Sequence, residues 1–268
     1  IETGLFYFDE KKKIYIERFR DRIIFPINNI SGQPIGLGGR TIEEKNYLAK
    51  YINSPETSFF KKGANLYNLD IARKFSNKIN HVYLVEGYMD VVGLSKNGIE
   101  NVVANLGTSL TNRQILILNQ FFDDVIICFD GDESGYKAAL RAAENSIIEL
   151  QPEKNISFLF LPNNEDPDSF TNKNGKDYFI NFTKSNKLSI HHFIFNHYKK
   201  KIDDNPSSMA VFEKKLREIA NTIKDKFIKK YVLEFFLENI SYLTPHTNNS
   251  KKKFERKKAS SLKTTQKH

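Results

Sequence analysis

The sequence predicts an α/β protein: a mixed N-terminal segment, a central Rossmann-like parallel sheet and a C-terminal helical segment. Three observations predict it. Between residues 81 and 161, apolar runs of strand length alternate with helical stretches, which implies parallel strands joined by crossovers. Upstream, short strand-like runs are broken by Gly, Pro and Asn. After Pro167 the strand signal fades, and apolar residues recur at intervals of three and four.

Residues 5–40 read as strands and turns. Ile23–Ile27 is apolar, but Pro26 argues against a central strand there. Asn28-Asn29-Ile30-Ser31-Gly32 is a turn, and Ile35–Leu37 returns as the second strand of a hairpin. Gly36, Gly38 and Gly39 match neither dinucleotide nor P-loop spacing, so they read as turn and close-packing glycines. Ser54-Pro55 is a turn, and Asp70–Phe75 is a short helix. His81–Glu86, Asn101–Asn105, Val125–Phe129 and Ile156–Leu161 are the strands of the central sheet. Met89–Lys96 and Ser134–Leu150 are helices between them. Thr111-Asn112-Arg113-Gln114 has capping-box spacing and opens a third helix, to Phe121. Asn205-Pro206 is a helix start, and Phe212, Leu216, Ile219 and Ile223 hold the helical period, continued by Ile228, Tyr231, Val232, Phe235 and Phe236. The expected divisions are 1–80, basic; 81–170, the sheet; 171–245, helical; and 246–268, a disordered basic tail or linker.

Charge is uneven along the chain. Of the net +9, residues 246–268 supply +7; residues 1–81 are +5, residues 82–170 are −9, and residues 171–245 are +6. Basic surfaces flanking an acidic pocket suit a nucleic-acid backbone beside bound cations, although solvated surface charge produces the same pattern. The single cysteine, Cys128, excludes an intramolecular disulfide framework and a cysteine-based zinc ribbon, and it reads as a buried inert thiol in a reducing, cytoplasmic setting. No run approaches the roughly 18 apolar residues of a membrane span. No signal peptide is visible, and the start at Ile1 suggests a fragment of a longer protein.

Three acidic signatures stand where the chain leaves a strand: Glu86-Gly87-Tyr88-Met89-Asp90, Asp130-Gly131-Asp132 and Asp166-Pro167-Asp168. Alone, each is equally a turn or a helix cap. Together, at the carboxyl ends of parallel strands, they predict a carboxylate cluster that repels itself unless a cation holds it. Mg²⁺, which takes one or two carboxylates plus substrate phosphates, suits such oxygen ligands. No nucleophilic triad competes. His81 begins its strand at the opposite edge from Glu86, and His191 and His192 lack the spacing of a helical zinc pair.

These residues resemble a known family. The Glu86–Asp90 motif, Leu106-Gly107-Thr108-Ser109-Leu110-Thr111, and Phe129-Asp130-Gly131-Asp132 with Gly135 and Ala138 are similar to the Toprim domain, more narrowly that of bacterial DnaG-type replicative primases. Upstream, Arg18-Phe19-Arg20-Asp21-Arg22, Gly38-Gly39-Arg40, Asn53-Ser54-Pro55-Glu56-Thr57 and Lys61-Lys62-Gly63 resemble that family's N-terminal subdomain. Phe160-Leu161-Pro162 and Glu165–Asp168 continue the match, which covers roughly residues 5–200.

The resemblance implies an RNA polymerase core that uses Mg²⁺ or Mn²⁺, two or more ions, to make short RNA primers from ribonucleoside triphosphates on single-stranded DNA. It implies Glu86, Asp90, Asp130, Asp132, Asp166 and Asp168 as metal ligands, with Glu86, Asp130 and Asp132 catalytic. It further implies Arg20, Arg22, Arg40, Lys62, Asn65 and Tyr88 as nucleic-acid or nucleotide contacts. Arg20 and Arg22 are equally explained by pairing with Asp21 or Glu17. The family's zinc module is absent from this sequence, so zinc is not expected, and a replicative helicase would be reached through a C-terminal domain not present here. The implied setting is the bacterial replication fork, away from membranes. Two alternatives are another Toprim enzyme, a nuclease or topoisomerase-type module, and a non-catalytic nucleic-acid-binding module. The Arg18–Gly63 region argues against the first and the intact acids against the second.

Overall fold

The computed structural model describes residues 4–42, 49–162, 165–203 and 205–243. The expected tail, 246–268, lies outside the described residues. The chain divides into two compact units, Ile1–Phe193 and Ile194–His268.

The first unit opens with a hairpin of β1 (Phe6–Asp9) and β2 (Ile14–Glu17), whose turn is closed by Asp9 Oδ1 accepting from the Lys11 and Lys12 amides at 2.9 and 3.0 Å. A three-stranded antiparallel sheet follows: β3 (Arg22–Asn28), β4 (Pro34–Thr41) and β5 (Tyr51–Asn53), in the order β3-β4-β5. Pro26 lies inside β3, and the edge position of that strand explains why: one side has no partner strand, so a missing donor is tolerated there. The hairpin turn is organised by Asn29 Oδ1, which accepts from the amides of Ser31 and Gln33, with Gly32 at φ +85°.

A short helix α1 (Leu69–Ala72) leads into the central sheet, built from β6 (His81–Val85), β7 (Val102–Ala104), β8 (Asp124–Phe129), β9 (Asn155–Phe160) and β10 (Leu188–Ser189). Their order is β10-β9-β8-β6-β7, parallel except for β10. The intervening helices are α2 (Tyr88–Lys96), α3 (Asn112–Asn119), α4 (Glu133–Ser146), α5 (Pro167–Asn174) and α6 (Lys176–Asn186). The long helix expected over 134–150 ends at Ser146 and gives way to a 3₁₀ turn, Ile147–Glu149. Every residue of Val82–Val85 and Val125–Phe129 is buried, which fits a sheet covered on both faces. One core cluster includes Tyr83, Val85, Leu94, Ile126, Phe170 and Phe179, and Cys128, 1% exposed, is an apolar member of it.

The topology locates the site. From β6 the chain moves to β7 on one side and then to β8 on the other. The strand order therefore reverses between β6 and β8, where a crevice opens at the carboxyl ends of the strands. Helix α7 (Ile190–Lys199) carries the boundary between units. In the second unit, α8 (Pro206–Thr222) is capped by Asn205, which accepts from the Ser207 amide, and α9 (Lys226–Leu243) follows. Phe195, Phe212 and Phe236 form its aromatic interior, with Phe195 centroids 5.5 and 6.5 Å from the other two rings. No described helix is long and apolar enough to cross a membrane.

Candidate active site

Glu86 follows β6 and Asp130 follows β8, so both stand at the reversal point. Three other acids begin helices. Asp90 Oδ2 accepts from the Gly87 amide at 3.0 Å in the first turn of α2. Asp132 caps α4 through the Gly135 amide at 2.6 Å, and Asp166 caps α5 through the Ser169 amide at 2.7 Å. Each of these helix starts holds a carboxylate and offsets part of its charge. Asp168 accepts from Asn172 Nδ2 at 2.5 Å and lies so close to Gly93 of α2 that a β-carbon there would stand 2.2 Å from Asp168 Oδ1.

Burial and mutual repulsion raise three of the acids. Asp90 is pushed up to about 7, by burial first and then by Asp130, Asp166 and Glu86, against the Gly87 hydrogen bond. Asp130 is pushed up to about 6 by burial, Asp166 and Asp132. Glu86 is raised by burial, Asp130 and Asp132. Five of the six predicted acids therefore sense one another. The sixth, Asp168, acts with Asp90 and Asp166 on the Tyr51 phenol. Adjacent Glu165 is held by Lys173 at 3.1 Å and faces a cation of its own.

This donor set fits a hard divalent cation: oxygen ligands only, with Glu86, Asp90 and Asp130 raised by burial and by neighbouring carboxylates. Among the described residues no three acidic, histidine or cysteine groups close into a ready-made cage.

The predicted basic and polar contacts separate into groups. Arg40 of β4 pairs across the sheet with Tyr51 of β5, its guanidinium 5.8 Å from the ring. Burial raises the Tyr51 phenol, Arg40 lowers it, and Asp90, Asp166 and Asp168 raise it further, so this pair lies within electrostatic reach of the acids. Lys62 and Asn65 share a turn. Asn65 Nδ2 bonds the Lys61 carbonyl at 2.8 Å, and Gln114, fully buried on α3, donates to the carbonyls of Lys62 and Asn65 at 3.1 and 2.8 Å. Arg22 instead donates to the carbonyls of Gly39 and Lys50, both at 3.3 Å, and so braces the strand ends. Arg20 pairs with Asp21 at 3.5 Å on the surface. Tyr88 is 4% exposed, stacked on Phe25 at 5.2 Å and packed against Tyr67 at 4.7 Å, in a second core cluster with Ile27, Phe60 and Leu106.

Sequence reasoning gave no role to Tyr51, Asn53 or Gln114. Gln114 carried a signal as the fourth residue of the capping box, and its side chain does close that box on Thr111 at 3.0 Å. Its bonds to the Lys62 turn had none.

Two family models match the chain: the DNA primase catalytic core, N-terminal domain, over residues 1–73, and the Toprim domain over residues 80–160. A DNA primase of Buchnera aphidicola is 39% identical over 232 residues, covering 86% of this chain and 39% of the relative. One from Legionella pneumophila is 36% identical over 248 residues, covering 91% and 41%. The chain thus spans about two fifths of the length of these curated relatives. Among solved structures, a DNA primase domain from Pseudomonas aeruginosa superposes with a TM-score of 0.85 at 33% identity, covering 93% of this chain and 77% of that one. A DnaG primase catalytic domain bound to single-stranded DNA gives 0.81 at 33% identity, covering 88% and 76%.

Proposed function

Because the chain belongs to the DnaG-type DNA primase family, as part of its catalytic core, we propose that it carries the site for template-directed synthesis of RNA primers on single-stranded DNA. The observation that carries this reading is the meeting of Glu86, Asp90, Asp130, Asp132 and Asp166 at the sheet's reversal point, with the Arg40–Tyr51 pair within electrostatic reach of Asp90, Asp166 and Asp168.

In this proposal the carboxylates hold two or more Mg²⁺ or Mn²⁺ ions. Bound there, such ions would offset the charge of a ribonucleoside triphosphate and make the primer 3′-hydroxyl easier to ionise. Glu86, Asp130 and Asp132 lie nearest the chemistry, and Asp90, Asp166 and Asp168 complete the ligand set. Glu86 has the raised carboxyl suited to receiving a proton. Arg40 binds phosphate, and the Gln114-held turn presents Lys62 to template or nucleotide. A replicative helicase as partner and the replication fork as setting belong to the same family reading.

The test is ribonucleotide incorporation on single-stranded DNA carrying a pre-annealed primer. Incorporation by the chain that disappears in folded Asp130→Asn is the expected result. Full incorporation by that variant would overturn the assignment.

A further inference from the structure

Four of the acids are steadied through one oxygen each, and Asp168 differs from the other three in what holds it. Asp90, Asp132 and Asp166 accept from backbone amides at their own helix starts, those of Gly87, Gly135 and Ser169. Asp168 is the second residue of α5, and Pro167 before it has no N–H to offer. Its Oδ1 accepts instead from a side chain one turn on, Asn172 Nδ2, at 2.5 Å. Asp168 Oδ2 has no hydrogen-bond partner among the described residues. Asn172 is itself oriented from α2. Asn97, just past the end of that helix, donates through Nδ2 to Asn172 Oδ1 at 3.1 Å and to the Gly93 carbonyl at 2.9 Å. An amide that accepts from Asn97 through its oxygen must present its NH₂ to the Asp168 carboxylate. Gly93 closes the ring, because it lies under Asp168 where a β-carbon would overlap Oδ1.

We propose that Asn172 and Asn97 are positioning residues for Asp168: they hold Oδ1 against α2 and leave Oδ2 for a divalent ion. A carboxylate free to turn loses that freedom when it binds an ion, and a supporting hydrogen bond removes the freedom in advance. The ring also joins the helix whose first turn holds Asp90 to the helix whose first turn holds Asp166, so it bears on the separation of those two carboxylates. The inference rests on the reading of the carboxylates as ion ligands and adds to it two residues that carry no charge.

The test is Mn²⁺ binding by the full chain without nucleotide, read from the electron paramagnetic resonance signal of free Mn²⁺, beside the Tm of the metal-free protein. Asn172→Ala is expected to weaken Mn²⁺ binding about tenfold, the scale on which loss of a ligand's supporting hydrogen bond acts. Because Asn172 is exposed, the metal-free Tm should fall little. Asn172→Gln keeps a donor at the i, i+4 position and should recover most of the affinity. Asn97→Ala should weaken binding less, since Asn172 keeps its donor and loses only its orientation. In an Asp168→Asn background, Asn172→Ala should have no further effect, because both act through one carboxylate. Unchanged Mn²⁺ affinity in Asn172→Ala, beside a clear loss in Asp168→Asn, would overturn the proposal and leave Asp168 a ligand. So would a loss from Asn172→Ala that is equal with and without the Asp168 carboxylate. No loss in Asp168→Asn would remove the ligand reading of Asp168, and this inference with it.

Discussion

The Tyr88 hydroxyl donates to Asn53 Oδ1, and Asn53 Nδ2 donates in turn to the Leu106 carbonyl at 2.8 Å. Those two bonds tie β5, the first residue of α2 and the chain after β7 into one block. Gly38 of β4 lies under the same phenol, where a β-carbon would be 2.7 Å from the ring. The block sets where Arg40 and Tyr51 stand relative to the acids.

Tyr88→Phe leaves Asn53 Oδ1 without its donor in a half-buried position. A loss of about 1–2 kcal/mol is expected, which for a chain of this size lowers Tm by a few degrees. Nucleotide KM should not move, because the ring is interior. A raised KM with unchanged Tm would show that the phenol touches the nucleotide.

Gly38→Ala should be costlier. The Tyr88 ring cannot retreat, being stacked on Phe25 and bonded to Asn53. Overpacking of this kind costs roughly 1–3 kcal/mol. Denaturant unfolding of the variant checks it, and a midpoint equal to wild type would reject the block.

Gln114→Ala removes the donor to the carbonyls of Lys62 and Asn65 and the acceptor for Thr111. A destabilisation of about 2–3 kcal/mol is expected from the unpaired buried groups. At a temperature where the variant is folded, KM should rise more than kcat falls, because the Lys62 turn loses its clasp. Equal changes in both would indicate damage to the chemistry itself.

The metal-free protein should lose stability as pH rises. Asp130 is raised to about 6 in the folded chain, against about 3.9 unfolded, so across that window the folded state binds more protons. Stability therefore falls with increasing pH and levels off above about 6 for this group. In EDTA, Asp130→Asn should match wild type near pH 4 and melt higher at pH 8, with the gap closing as Mg²⁺ is added to wild type. A gap that is constant with pH would show that the charge of Asp130 is not the cause.

The four parallel strands and their helices were legible because apolar runs of strand length alternate with capped helical periods, a pattern carried by neighbours in sequence. Pro26 argued correctly against a central strand, but that its run is an edge strand of a three-stranded sheet is revealed by strand order alone. The strand β10 escaped notice because two residues leave no period to read. The acids were legible as strand-end punctuation, and their convergence followed once the strands were parallel. Their supports were not legible. Asn53 meets Leu106 across 53 positions, and Gln114 meets Asn65 across 49, and nothing local marks either bond.

The carboxylates assigned to the ions in the proposed function also hold the first turns of α2, α4 and α5. A ligand that draws electron density from Asp90, Asp132 or Asp166 must weaken the grip of that oxygen on an amide. Under the proposed function, the Gly87, Gly135 and Ser169 N–H groups are gauges of occupancy: their proton shifts and exchange rates should report, helix by helix, which carboxylate an added ion engages.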